Sequence, residues 1–451
     1  MKPETDAAPK VSFISLGCAK NLVDSEVLLG HLAKGGFALC ADYADSDVVV
    51  VNTCGFLQAS ERESMETIDR MVALKEKGDL KAVVVAGCLP QRYGPEFAKR
   101  LHNVDAVLGI TNREDIAGIC EGLLERTGRR TKPVVRVSSD LPKYEIDRER
   151  LRLTPRHTAY IRISEGCNHT CAFCIIPKIR GKFRSKPIEV IVEEARELAA
   201  DGAKEINLIA QDSTNYGLDL YGKLCIEKLL EELHKVEGIE WIRPLYCYPT
   251  YVTDRFIRAM ADFPKIVKYL DMPIQHTKER VLRLMRRGIT EARQKELIAK
   301  MRAEIPGLVF RTTVIVGFPG ETDADFEGLL NDLEELRFER LGTFMYSREP
   351  GTFADGMEGH LSDDVKRDRQ DQVMRQQQRI ALEINRAMIG RTIPVLVERK
   401  LGKASWEGRT YGDAPDIDTI ITLRGPGLEE GLITKARVTG FRGYDLVGEA
   451  R

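Results

Sequence analysis

A chain of 451 residues exceeds one ordinary core and points to two or three domains. Its 68 Lys and Arg nearly balance 69 Asp and Glu, leaving a formal charge of -1, so no global field draws it to a polyanion. Met1 to Lys10 is polar, without the apolar centre of a leader, and no apolar run approaches the roughly 20 residues that cross a bilayer. The expectation is a cytoplasmic protein with no membrane partner. Ten cysteines in a reducing compartment then call for metal ligation or simple burial, since a disulfide framework is disfavoured there.

In chain order, Val11–Leu16, Asp47–Val51, Lys81–Ala86 and Ala106–Leu108 are short apolar runs. Between them, Asp24–Lys34 and Gln58–Lys75 carry apolar residues at helical spacing. This alternation predicts an α/β fold with a doubly wound parallel sheet over residues 10–124. The charged stretch 125–152 lacks periodicity and reads as a linker. Residues 153–383 repeat the alternation on a larger scale, with strands expected at Ala159–Ser164, Glu205–Ala210, Trp241–Tyr246, Lys268–Ile274, Val309–Phe318 and Arg340–Ser347. Six strand–helix units predict a partial (β/α)6 barrel, whose chemistry gathers at the carboxyl ends of the strands. Over residues 386–451 helical periodicity stops. Ile393–Arg399, Thr419–Leu423, Leu432–Thr439 and Leu446–Gly448, separated by glycine turns, predict a small OB-like β-barrel.

Two cysteine constellations stand out. The first is Gly166-Cys167-Asn168-His169-Thr170-Cys171-Ala172-Phe173-Cys174, a C-x3-C-x2-C loop just after the first core strand. Three thiolates from one loop suit an iron–sulfur cubane held by three irons, with the fourth left open. The alternatives are zinc, with His169 as fourth ligand, or unligated buried thiols. Four zinc ligands within eight residues do not match the paired spacing of structural zinc sites. The second is dispersed: Cys18, Cys54 and Cys88 each follow an apolar strand and each neighbour a glycine. In a parallel sheet all three open at the carboxyl edge, where ligands bind. One such cysteine is usually core filling; three at equivalent points are better explained as a second three-thiolate site. Cys40, Cys120, Cys225 and Cys247 lack such company and are expected to be buried apolar residues.

The C-x3-C-x2-C loop resembles the signature of the radical S-adenosylmethionine (SAM) superfamily. The resemblance implies that SAM chelates the open iron, and that Phe173 and the Val316-Gly317-Phe318-Pro319-Gly320-Glu321 turn, with Gly317 and Glu321, contact SAM. Along nearly the whole chain the architecture is similar to the methylthiotransferases, which join a three-cysteine N-terminal domain, a radical SAM core and a C-terminal TRAM barrel. That implies two 4Fe–4S clusters, SAM and an external electron donor. Within the family, the segment from Ser15 to Glu26, Gln211-Asp212-Ser213-Thr214, Tyr246-Cys247-Tyr248-Pro249-Thr250 and Asp413-Ala414-Pro415-Asp416-Ile417-Asp418 resemble the branch acting on a ribosomal protein. The RNA-modifying branch typically has Asn-Val-Asn at Asp212-Ser213-Thr214. Ala19, Ser213 and Asp416 depart from the usual proline, threonine and glutamate. The implied reaction is methylthiolation of the β-carbon of an aspartate in small-subunit ribosomal protein twelve. The alternatives are a transfer RNA adenosine as substrate or a non-catalytic iron–sulfur electron carrier. From Arg386 to Arg451, 11 basic and 9 acidic residues leave only +2, and Asp413, Asp416 and Asp418 form an acidic turn expected to suit a basic protein target.

Overall fold

The structure is a computed structural model that describes residues 8–111, 113–125 and 132–450. It divides into two compact units: residues up to 153 with 165–168 and 175–184, and residues 154–164, 169–174 and 185 onward.

In the first unit, six parallel strands run in the order β2-β1-β3-β4-β5-β6: β1 Lys10–Ser15, β2 Ala38–Leu39, β3 Val48–Thr53, β4 Ala82–Gly87, β5 Ala106–Leu108 and β6 Val134–Arg136. Val48, Val49, Val50 and Val51 are all fully buried, because helices cover both faces. Val48 and Val50 pack with Leu28 and Leu32 of the helix Ala19–Lys34 and with Ile116 and Cys120 of Ile116–Leu124. Val49 and Val51 pack with Ile68, Met71 and Val72 of Gln58–Lys77. The sheet is doubly wound, as the alternation implied.

The stretch read as a linker departs from expectation. Residues 126–131 lie outside the described residues, but β6 falls in the remainder and completes the sheet. Glu145 and Asp147 are buried on Arg113, which also donates to Asp24 at 3.1 Å. A charge run is a solvated connector only when its charges lack partners, and these have them.

In the second unit, β7 Thr158–Arg162, β8 Glu205–Ile209 and β9 Trp241–Pro244 form one parallel sheet, order β9-β8-β7. β10 Tyr269–Asp271, β11 Val309–Val316 and β12 Arg340–Met345 form another, and a parallel bridge joins Ile242 to Ile266. This is the six-stranded partial barrel. Its core includes Ile161, Leu208, Ile242, Leu270, Phe310 and Val314, all fully buried. The helix Asp363–Met388 runs past the expected boundary, pinned by Gln370 and Gln377 to the carbonyls of Thr343 and Phe338.

The C-terminal strands β13 Thr392–Lys400, β14 Trp406–Thr410, β15 Ile421–Arg424, β16 Ile433–Arg442 and β17 Asp445–Ala450 close into a barrel, order β13-β14-β15-β17-β16. β14 escapes the sequence pattern because Glu407, Gly408 and Arg409 break its alternation. Gly408 sits where a Cβ would come within 2.8 Å of the Leu396 carbonyl. Arg409 leaves the barrel to bind Glu205, the first residue of β8.

This small barrel seats on the amino-terminal ends of the core strands. Arg243 of β9 donates to Glu205 and to the Tyr411 carbonyl at 2.7 Å. His157, just before β7, pairs with Glu398 at 2.7 Å. The hydroxyl of Tyr269, first in β10, donates to Asp418 at 2.6 Å, and Arg340, first in β12, holds Asp413. The expectation that the acidic turn forms a surface for a basic partner is therefore corrected. Asp413 is buried and Asp418 is spent on Tyr269 and Arg311, leaving only Asp416 exposed.

Candidate metal centre

In the first unit the strand ends converge as the spacing implied. Cys54 follows β3 directly, Cys88 follows β4 directly, and Cys18 lies at the N-cap of the helix after β1. β1, β3 and β4 are sheet neighbours, so the three thiols share one edge. Close packing makes glycine obligatory there. Gly17 has φ +96°, and a Cβ on it would lie 2.8 Å from Cys54 Cβ and 3.0 Å from its Sγ. Gly87, at φ +100°, would clash with Asn52 and Thr53.

Polar neighbours fix the cysteines' backbone. Asn21 Nδ2 donates to the carbonyls of Leu16, Asn52 and Thr53, and Asn52 Nδ2 returns a bond to the Asn21 carbonyl at 3.0 Å. Ser64 Oγ is 3.2 Å from both the Cys54 amide, which donates to it, and the Cys54 carbonyl. Burial pushes the Cys88 thiol up to about 12, while the Arg180 guanidinium, its Nη2 3.0 Å from the sulfur, pulls the other way. An isolated thiol in this place stays protonated; a metal converts it to thiolate by displacing the proton. Arg180 also pairs with Asp24 and Glu165. The sequence reading missed it, although a second cation closing the largely apolar run Ile175-Ile176-Pro177-Lys178-Ile179-Arg180 was a usable signal.

The signature loop divides between the units. In the first, Cys167 is 9% exposed and its amide donates to the Gly181 carbonyl at 3.0 Å. In the second, Cys171 and Cys174 are half-buried, with the Cys174 amide donating to the Cys171 carbonyl at 3.1 Å. His169, the fourth ligand that a zinc reading needs, has Nε2 hydrogen-bonded to Asp212 Oδ2 at 2.7 Å, with its ring stacked on Tyr248. Asp212 is fully buried, and its other oxygen accepts from Thr214 and Asn215. Among the described residues no three His, Cys, Asp or Glu side chains converge as ligands of a single ion. A cubane asks for a different arrangement, each thiolate taking its own iron around a shared volume. Three thiols on one sheet edge, and three within eight residues of one loop, supply the donor types such a cluster takes.

The expected SAM-contact residues also meet. Phe173 stands edge-on to Phe318 with ring centroids 6.4 Å apart, joining the signature loop to the Gly317–Glu321 turn. Gly317, at φ +72°, leaves no room for a Cβ, which would meet Lys366 at 2.4 Å. Glu321 is turned inward. It accepts from the amides of Gly317 and Phe318 and from Arg369, so its carboxylate staples the turn. The isolated cysteines behave as expected at Cys120, Cys225 and Cys247, all buried. Cys40 does not: it is half-exposed, with its thiol near the Asp42 carbonyl.

Three family models match in sequence order: "Uncharacterized protein family UPF0004" over residues 10–109, the Radical SAM superfamily over 161–333 and the TRAM domain over 389–450. The chain is 44% identical over 444 residues to the "Ribosomal protein uS12 methylthiotransferase RimO" of Desulforamulus reducens, covering 98% of this chain and 99% of that protein. It is 46% identical to the protein of the same name from Anaeromyxobacter sp. (strain K), covering 98% and 93%. Among solved structures, the radical SAM methyltransferase TsrM from Kitasatospora setae superposes with a TM-score of 0.55 at 14% identity, over 88% of this chain and 79% of that one, a likeness of fold. Full-length identity above 40%, together with the three domains in order, leads to one conclusion: the chain belongs to the RimO family of radical SAM methylthiotransferases.

Proposed function

We propose that this enzyme adds a methylthio group to the β-carbon of an aspartate in ribosomal protein uS12, using two 4Fe–4S clusters, SAM and an external one-electron donor. The observation that carries the reading is the set Cys18, Cys54 and Cys88 on neighbouring strand ends, separate in sequence from the loop of Cys167, Cys171 and Cys174. The names of the relatives support uS12 as the substrate.

When bound, a cluster with SAM would supply hydrogen abstraction from an unactivated C–H bond, a task beyond any side-chain base. The chain's own residues prepare the site. Cys167, Cys171 and Cys174 would hold the core cluster, and Phe173 with the turn from Gly317, closed by Glu321, would wall the cofactor. Cys18, Cys54 and Cys88 would hold the second cluster and so form the platform for the sulfur chemistry it would supply. Asn21, Asn52 and Ser64 keep that platform's backbone in place.

The test is anaerobic incubation with SAM, sulfide, reductant and either uS12 or transfer RNA, followed by mass spectrometry of each. One methylthio addition on a uS12 aspartate is the expected result. Cys54→Ala should abolish that product yet still yield 5′-deoxyadenosine from SAM. Modification of the RNA would overturn the substrate. Iron without SAM consumption would return the protein to the electron-carrier class.

A further inference from the structure

The turn after the helix Glu279–Leu284 brings a buried cation to the signature loop. Arg286 takes a left-handed conformation, φ +56°, and the chain then directs Arg287 inward. Arg287 is 8% exposed. Its Nη2 donates to the Pro273 carbonyl at 2.7 Å, and its guanidinium carbon lies 4.0 Å from the Tyr248 ring centroid. Its Nη1 lies 3.6 Å from Cys171 Sγ, within hydrogen-bond reach of sulfur, and its Nε is buried without a partner. The same turn ties down the loop, since the Ala172 amide donates to the Met285 carbonyl at 2.9 Å.

A buried guanidinium normally sits against a carboxylate, because an uncompensated buried charge is costly. Arg287 has a carbonyl, an aromatic face and a thiol, and among the described residues no carboxylate pairs with it. The burial leaves an anion wanting at Cys171. Three thiolates on a 4Fe–4S core make a net anion that gains one further negative charge on reduction.

We propose that Arg287 sets the reduction potential of the signature-loop cluster, its positive charge at Cys171 favouring the reduced form. The proposal rests on the reading of Cys167, Cys171 and Cys174 as cluster ligands. Hydrogen bonds and charge at the sulfurs are among the levers that place such potentials. The one electron comes from the external donor, and Arg287 exchanges no proton in the step. It is a positioning and tuning residue, because it acts through the ligand sulfur.

The experiment is a redox titration followed by electron paramagnetic resonance. It uses the full-length chain carrying Cys18→Ser, Cys54→Ser and Cys88→Ser, so that one cluster reports. Added Arg287→Met should move the midpoint to more negative potential with iron content unchanged, and Arg287→Lys should stay near the parent. An unmoved midpoint in Arg287→Met, a Lys variant as low as Met, or iron lost from Arg287→Met while the parent keeps it would each overturn the proposal. A parent without iron would instead fault the ligand assignment and take the proposal down with it.

Discussion

Arg340 holds Asp413 across the seam between core and small barrel, with Nη2 2.6 Å and Nε 2.9 Å from the same carboxylate oxygen. Thr410 and Thr419 hydroxyls also donate to this carboxylate. Burial would raise the Asp413 carboxyl, but Arg340 and the two hydroxyls outweigh it and hold the group below the usual range. Removing one partner of a buried pair strands the other. Asp413→Ala and Arg340→Ala should therefore each cost about 3–5 kcal/mol, and the double variant less than their sum. Urea unfolding of the three proteins reads this directly, and full additivity would show the two residues to be independent.

Glu205 gives the seam a pH dependence. Burial pushes its carboxyl up, yet Arg409 and Arg243 overcome that and hold it at about 2, against an ordinary 4.5. A depressed folded value stabilises above the unfolded value and loses that contribution as pH falls toward the folded one. The shift corresponds to about 3 kcal/mol, present near neutrality and lost between about pH 4.5 and 2. Unfolding free energy measured across that window should fall with acid, and Glu205→Gln should flatten the slope. Parallel curves for the two proteins would remove Glu205 from the account.

Gly17→Ala is the smallest change that should disable the sheet-edge triad. It places a Cβ against Cys54 and demands φ +96° of a residue that avoids it. Reconstituted protein should lose the iron of one cluster and keep the other, while the fold, judged by circular dichroism, persists. Iron equal to wild type would show that the edge tolerates a wider opening.

The remaining cysteines should divide by burial. Cys120→Ala, Cys225→Ala and Cys247→Ala remove small buried groups and should cost about 1–3 kcal/mol. Cys40→Ser, half-exposed, should change stability by less than about 0.5 kcal/mol. Iron content should be unchanged in all four. Loss of iron from any one would make it a ligand or a neighbour of one.

Much of this was legible in the sequence because strand periodicity and glycine placement are local. Cys18, Cys54 and Cys88 announce a shared edge once β1, β3 and β4 are seen as parallel strands. Other features depend on pairings that no window contains. β6 reads as charged linker until its register on β5 is known. β14 shows no apolar alternation because Arg409 serves a carboxylate more than 200 residues away. The acidic turn looked partner-seeking for the same reason: Arg311 and Arg340 lie far upstream. Arg287 gave no local sign of its role, since two adjacent arginines on a helix end usually face water.

The seating of the small barrel on the starts of the core strands sets a ruler inside the enzyme. The signature loop follows the end of β7 and the Gly317 turn follows β11, whereas Glu205, Tyr269 and Arg340 mark the opposite mouth. Strands of five to eight residues separate the two mouths by roughly 20 Å at 3.3 Å per residue. A group bound at the barrel would therefore lie about that far from the mouth that carries the Gly317 turn. A peptide shorter than about six residues, even fully extended, would span too little to touch both mouths.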